Sequence, residues 1–135
     1  MGWPNFKWPY SRSIWPNLIC ALLLLNFVSP CPQKCNCNGG IVNCVNKGLT
    51  QIPKDIPSNT VRLDLQENQI TKVQRNDLAY LKHLKILQLM DNNITTIEAN
   101  VFDELRNLER LRLNRNLLQV IPEKLFAKNS KLHRL

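Results

Sequence analysis

Four cysteines, Cys31, Cys35, Cys37 and Cys44, crowd into a short stretch of this 135-residue chain. Thiols at this density do one of two things. In an oxidising compartment they pair as disulfides; in a reducing one, four thiolates suit tetrahedral zinc. The Cys35-x-Cys37 spacing is tight for a tetrahedral metal, and the segment upstream points to export. Disulfides are therefore the expected chemistry. Four cysteines allow three pairings, and spacing alone does not choose among them. These cysteines are expected to be structural rather than catalytic.

No other constellation supports catalysis. His83 and His133 fall at variable, outward positions, and no serine or threonine has a base placed beside it. No Gly-rich phosphate loop follows a strand and no acidic calcium loop is present, so neither a metal nor a cofactor is implied. Asn93-Ile94-Thr95 is the one N-glycosylation sequon. A glycan is expected on Asn93, whose side chain should point outward.

The elements that position these residues come from a repeat. Leu63-x-Leu65-x-x-Asn68-x-Ile70 returns 24 residues later as Leu87-x-Leu89-x-x-Asn92-x-Ile94, and again as Leu111-x-Leu113-x-x-Asn116-x-Leu118. The lead-in leucine recurs as Leu84, Leu108 and Leu132. This is the leucine-rich repeat pattern, in which one coil cannot bury its apolar face and neighbours must stack. The expected fold is a leucine-rich repeat solenoid, with parallel strands on its concave face and a disulfide-bonded N-terminal cap. In each coil the leucines of Leu-x-Leu point inward and the residue between them outward. Asn68, Asn92 and Asn116 should form a buried column, because an amide both donates and accepts. Leu78, Phe102 and Phe126 should fill the convex side.

The cap shares the register. Leu49-Thr50-Gln51-Ile52-Pro53 aligns with Leu118-Gln119-Val120-Ile121-Pro122, which places Val42 and Cys44 in the two inward slots. Residues 41–45 should then form the first strand of the sheet, with Cys44 facing the core. No comparable cap follows at the other end, where a fourth coil has only begun by Leu135. The chain accordingly reads as a fragment, marginally stable in isolation. The expected division is a signal peptide at 1–30, a cysteine-rich cap at 31–59 and repeats at 60–135.

The signal-peptide assignment rests on Lys7 and Arg12, an apolar run from Leu18 to Val28 broken by Asn26, and Pro30 after it. A membrane anchor is the alternative, but the run is much shorter than the ~20 apolar residues of a spanning helix. Cys20 lies inside this segment and leaves with it. The whole chain carries 18 Lys and Arg against 10 Asp and Glu, a formal +8. Without Lys7 and Arg12 the remainder is +6. A basic exported protein meets anionic polysaccharide or acidic proteins more often than nucleic acid, although a net charge of this size is also ordinary for solubility.

The outward positions form columns across the coils. One runs Arg62, Ile86, Arg110, Arg134; the next Asp64, Gln88, Arg112; a third Gln66, Met90, Asn114; a fourth Glu67, Asp91, Arg115. The cap-proximal end is expected to be acidic (Asp64, Glu67, Asp91). The far end is expected to be basic (Arg110, Arg112, Arg115, Arg134) and is the candidate contact for a polyanion or an acidic protein. The competing reading is an ordinary solvated charged face, or a contact with further coils beyond these.

With cap and repeats in place, the chain resembles the N-terminal part of the Slit family of secreted axon-guidance ligands. The cysteine spacing resembles the N-flanking cap of extracellular leucine-rich repeat proteins. The segments "NTVRLDLQENQIT", "LKILQLMDNNITTIE" and "LERLRLNRNLLQVIPEKLF" resemble the first Slit repeat domain, over about residues 31–135; Leu78 departs from the usual Phe. The resemblance implies the pairing Cys31–Cys37 and Cys35–Cys44. It also implies an extracellular, secreted protein that acts on Roundabout receptors with heparan sulfate, the main receptor contact lying on a second repeat domain outside this chain. The alternatives are the ectodomain of a leucine-rich repeat membrane receptor and a small leucine-rich matrix proteoglycan.

Overall fold

The computed structural model describes residues 30–135, so the expected signal segment lies outside the described residues except for Pro30. From the cap onward the chain forms β1 (Asn36–Asn38), β2 (Ile41–Asn43), β3 (Arg62–Asp64), β4 (Lys72–Val73), α1 (Arg75–Leu78), β5 (Ile86–Gln88), β6 (Thr96–Ile97) and β7 (Arg110–Arg112). The main sheet runs β1-β2-β3-β5-β7. All its pairs are parallel except β1–β2. Val42, Leu63, Leu87 and Leu111 stand in direct register across it. Arg134 adds one further parallel bridge, to Arg110.

Period-2 alternation explains most of the burial, but Asp64 and Gln88, expected to face outward between the leucines, are also covered, at 5% and 6% exposure. Leu63, Leu65, Leu87, Leu89 and Leu111 are fully buried while Arg62, Ile86 and Arg110 are partly exposed. Behind the strands lie Ile70, Val73, Leu78, Leu81, Leu84 and their counterparts one coil on, forming one continuous core. Phe102 is completely buried, and the ring of Phe126 stacks on it with centroids 5.8 Å apart. These residues fill the side away from the sheet, as expected. The return path of each coil also contains structure that the repeat pattern did not announce. The two-residue strands β4 and β6 pair in parallel, and α1 begins where the Gln74 N–H donates to the Asp77 carboxylate at 3.0 Å.

The asparagine column is present and has a direction. The Asn68 side chain accepts from the N–H groups of Lys47 and Leu49, both at 3.0 Å, and donates to the carbonyls of Cys44, Leu65 and Gln66. Asn92 accepts from the Ile70 N–H and donates to Leu65, Leu89 and Met90. Asn116 accepts from the Ile94 N–H and donates to Leu89, Leu113 and Asn114. Each amide thus joins its own coil to the preceding one. The residue just before each asparagine, Glu67, Asp91 or Arg115, takes a positive φ of 53–58°, and Asn46 does the same in the cap. These residues are the corner where strand becomes return path, an unusual conformation for side chains of their size.

The cap carries Cys31–Cys37 and Cys35–Cys44 disulfides, the pairing that the resemblance implied. Val42 and Cys44 occupy the inward slots and are buried. The strand is shorter than residues 41–45, and it is the second of the sheet rather than the first. β1 lies outside it as an antiparallel edge, with Asn38 opposite Ile41. Gly39 and Gly40 both have positive φ, 54° and 81°. That is the two-residue hairpin whose twist matches the flanking strands and which only glycine and a few polar residues tolerate. The Gly-Gly pair was a readable signal for this hairpin. The edge strand is short and polar (Asn-Cys-Asn), which guards the sheet against further strand addition. Tyr80 ties the first full coil to the cap by donating its O–H to the Lys54 carbonyl at 2.9 Å, and partial burial raises its pKa.

Replacing Cys35 and Cys44 together by alanine is expected to cost about 2–5 kcal/mol in urea denaturation. Asn92→Ala should cost about 1–3 kcal/mol by stranding the Ile70 N–H and removing one of the donors to each of three carbonyls, whereas the exposed Gln119→Ala should stay within about 0.5 kcal/mol. Equal midpoints for N92A and Q119A would remove the amide column from the account.

Candidate functional site

The sheet positions the outward side chains in columns. Ile41, Arg62, Ile86, Arg110 and Arg134 stand beside one another, and so do Asn43, Asp64, Gln88 and Arg112. Neighbouring strands are ~4.8 Å apart, so residues in one column are true surface neighbours. The column Gln66, Met90, Asn114 lies at the end of the strands, joined by backbone bonds from the corner residues of the preceding coil.

The expected acidic end needs correction. Asp64 is buried, held by Arg62 at 3.4 Å and by the Gln66 backbone and side-chain amides. Asp91 is paired with Arg115 at 3.4 Å. Of the three carboxylates only Glu67 enters no salt bridge among the described residues. A polar side chain at the middle of a strand face has its neighbours close on both sides, so a carboxylate there is neutralised locally.

The basic end is narrower than the composition implied. Arg115 is a corner residue directed at Asp91, not a member of the strand face. Arg110, Arg112 and Arg134 do come together, and among the described residues none of the three is in a salt bridge. Arg110 and Arg134 are directly opposite one another in the ladder. Like charges so placed repel by a few tenths to 1 kcal/mol. The Nε of Arg110 is buried and has no hydrogen-bond partner. The arrangement is therefore a cluster of guanidinium groups without a paired carboxylate among the described residues, and their accessible N–H groups suit an anionic oxygen.

A second set of charges was not legible from columns, because its members differ in coil position. Glu104 accepts from both Arg75 and Lys82, and Lys128 pairs with Asp103 at 2.9 Å. The Glu98 carboxylate receives the Arg75 N–H at 2.7 Å. These contacts bridge adjacent coils on the return side and offer no ligand a vacant partner. The hydrogen bond from Lys82, and then its charge, lowers the pKa of Glu104.

The remaining candidates are quickly placed. Asn93 is exposed, beside the buried Asn92. His83 and His133 are exposed, with the His133 ring 3.0 Å from the Lys131 carbonyl. The four cap cysteines are all in disulfides. Among the described residues no group of three or more His, Cys, Asp or Glu is arranged to hold a metal, and no helix is long and apolar enough to cross a membrane.

Comparison with known proteins agrees with this geometry. Residues 30–57 match the leucine rich repeat N-terminal domain, and residues 58–118 match the leucine rich repeat. Human decorin is 44% identical over 57 residues, which is 42% of this chain and 16% of decorin. Chicken (Gallus gallus) decorin is 40% identical over 65 residues, 48% of this chain and 18% of that protein. This chain thus spans less than a fifth of the length of these curated relatives. Among solved structures, human 5T4 (Wnt-activated inhibitory factor 1, trophoblast glycoprotein) superposes with a TM-score of 0.69 at 28% identity, covering 78% of this chain and 40% of that one. TLR13, solved in complex with ssRNA13, superposes with a TM-score of 0.62 at 26% identity, covering 73% and 18%.

The Glu104 contacts generate a pH dependence. A carboxylate whose folded pKa is depressed stabilises the fold fully above its unfolded pKa, and that contribution is lost as pH falls through the folded value. The urea midpoint is expected to drop on acidification from about pH 4.5 downward, and part of that drop should be missing in Glu104→Gln. Superimposable midpoint–pH curves for the two proteins would exclude the Glu104 contribution.

Proposed function

Starting from an extracellular leucine-rich repeat chain with a disulfide-paired N-terminal cap, we propose that it is a binding module of the matrix class to which decorin, a small leucine-rich proteoglycan, belongs. Its role is recognition, not catalysis. The concave sheet presents Arg110, Arg112 and Arg134 to a sulfated polysaccharide or to an acidic stretch of a partner protein. The observation that carries this reading is the in-register arginine pair Arg110–Arg134, with no salt-bridge partner for either among the described residues. Guanidinium groups suit sulfate and carboxylate because their paired donors match two acceptor oxygens. The decorin relatives support the matrix setting by 40% identity over 65 residues and 44% over 57. The 5T4 and TLR13 likenesses support the solenoid fold on which this reading stands.

A second reading is a Slit-type guidance ligand acting on Roundabout receptors with heparan sulfate. It is favoured by the segments "LKILQLMDNNITTIE" and "LERLRLNRNLLQVIPEKLF", whose outward residues the generic repeat does not dictate. Downstream coding sequence separates these readings. EGF-like and laminin-G-like modules belong to the ligand, an apolar stretch of ~20 residues to a receptor, and repeats alone to the matrix class. Binding of the full-length product to a Roundabout ectodomain tests the second reading directly.

On immobilised heparin, the triple variant R110A/R112A/R134A should elute at lower salt and bind at least roughly tenfold more weakly, since losing even one charge-assisted contact costs about 1.5 kcal/mol or more. Arg115→Ala should move the elution much less, its charge being already engaged by Asp91. An unchanged elution salt for the triple variant would falsify the arginine site.

A further inference from the structure

We propose that Asn93 carries an N-linked glycan whose first sugars lie over an exposed apolar spot formed by Leu117 and Val120 on the next coil. The inference rests on export and is otherwise independent of the polyanion reading.

Two observations meet here. The first is the sequon itself. Asn92 and Asn93 are adjacent, but only Asn93 begins an Asn-x-Thr triplet. Asn92 is buried with its amide in four hydrogen bonds, and a sugar there would break the column. Asn93 is exposed, and its side chain makes no hydrogen bond among the described residues; its backbone N–H is already satisfied by the Ile70 carbonyl at 3.0 Å. Thr95 is exposed as well. A glycan on Asn93 therefore costs the folded chain no native contact.

The second observation is the surface beside it. Leu117 is 58% exposed and Val120 75% exposed. The Leu117 N–H donates to the Ile94 carbonyl at 3.0 Å, which places Leu117 on the coil next to the sequon. Both occupy slots that are exposed in earlier coils and there hold polar residues: Gln69 and Asn93 in the column of Leu117, Lys72 and Thr96 in that of Val120. They are thus outward-facing by construction. Ile121 is 57% exposed as well, but it occupies the slot that Val73 and Ile97 bury in earlier coils. Two aliphatic side chains in outward slots expose apolar area to water at a cost that a sugar ring laid over them reduces. The glycan would close this flank to partners. The strand face bearing Arg110, Arg112 and Arg134 would stay open.

The test is expression of the full chain in a secreting mammalian culture. Glycosidase release in heavy-oxygen water should label Asn93 in the secreted product. Asn93→Gln and Thr95→Ala should abolish the label, and Thr95→Ser should keep it. Hydroxyl-radical oxidation of Leu117 and Val120 should then rise severalfold when the glycan is removed from the folded protein, with Ile41 in the cap unchanged as the control. A secreted chain bare at Asn93 overturns the site while leaving export intact. A chain retained in the cell without sugar overturns export and glycan together. A glycan whose removal leaves the oxidation of Leu117 and Val120 unaltered overturns the covering contact.

Discussion

A backbone that turns a corner every coil must find partners for the N–H and C=O groups it exposes to the core, and this chain does so with one inward amide per turn. Asn68, Asn92 and Asn116 each accept from a return-path N–H and donate to strand-end carbonyls, in their own coil and in the one before. An unsatisfied buried polar group costs about 1–3 kcal/mol, so the alternative to these bonds is not a looser solenoid but a water-filled one. The leucine rows can close only because the amides have removed polar groups from their path. The left-handed corner residues Glu67, Asp91 and Arg115 belong to the same constraint, since they aim the following asparagine inward.

Because each amide reaches backward, the stack needs a defined beginning. The cap supplies it with Val42 and Cys44 in leucine slots, two disulfides and an antiparallel edge strand that ends the sheet. Cys35–Cys44 ties the cap to the core, and Cys31–Cys37 holds the edge strand. Tyr80 and the Asn68 amide then join the first full coil to this segment. Packing and covalent chemistry here serve the same end, which is to give the first repeat something to complete it.

The binding face follows from the same register. Parallel strands in exact alignment would be expected to stack any repeated charge on itself, and Arg110 opposite Arg134 is that case. Elsewhere the register brings opposite charges into contact across or along strands, as with Arg62 and Asp64, or Asp91 and Arg115. The face is thus mostly self-neutralised and leaves one cationic cluster.

The repeat period, the inward leucines, the asparagine column and the shared register of the cap were all legible in the sequence, because each depends on spacing along the chain and on side-chain chemistry. The sequon was legible for the same reason. The cysteine pairing was not, since spacing allowed three arrangements; it came by resemblance and is settled by which sulfurs the cap brings together. The Gly39-Gly40 hairpin carried a local signal that column alignment overlooked. What the tertiary structure alone decided is which charges are free. Asp64, Asp91 and Arg115 look available in a column of letters, yet Asp64 is held by Arg62 and Gln66 of its own coil, and Asp91 pairs with Arg115 of the next. Ionic contacts such as Glu104 with Arg75 and Lys82 join residues at unequal offsets from the repeat. Periodicity encodes what every coil does alike, whereas a binding site is made from the differences between coils, and those become neighbours only when the stack has formed.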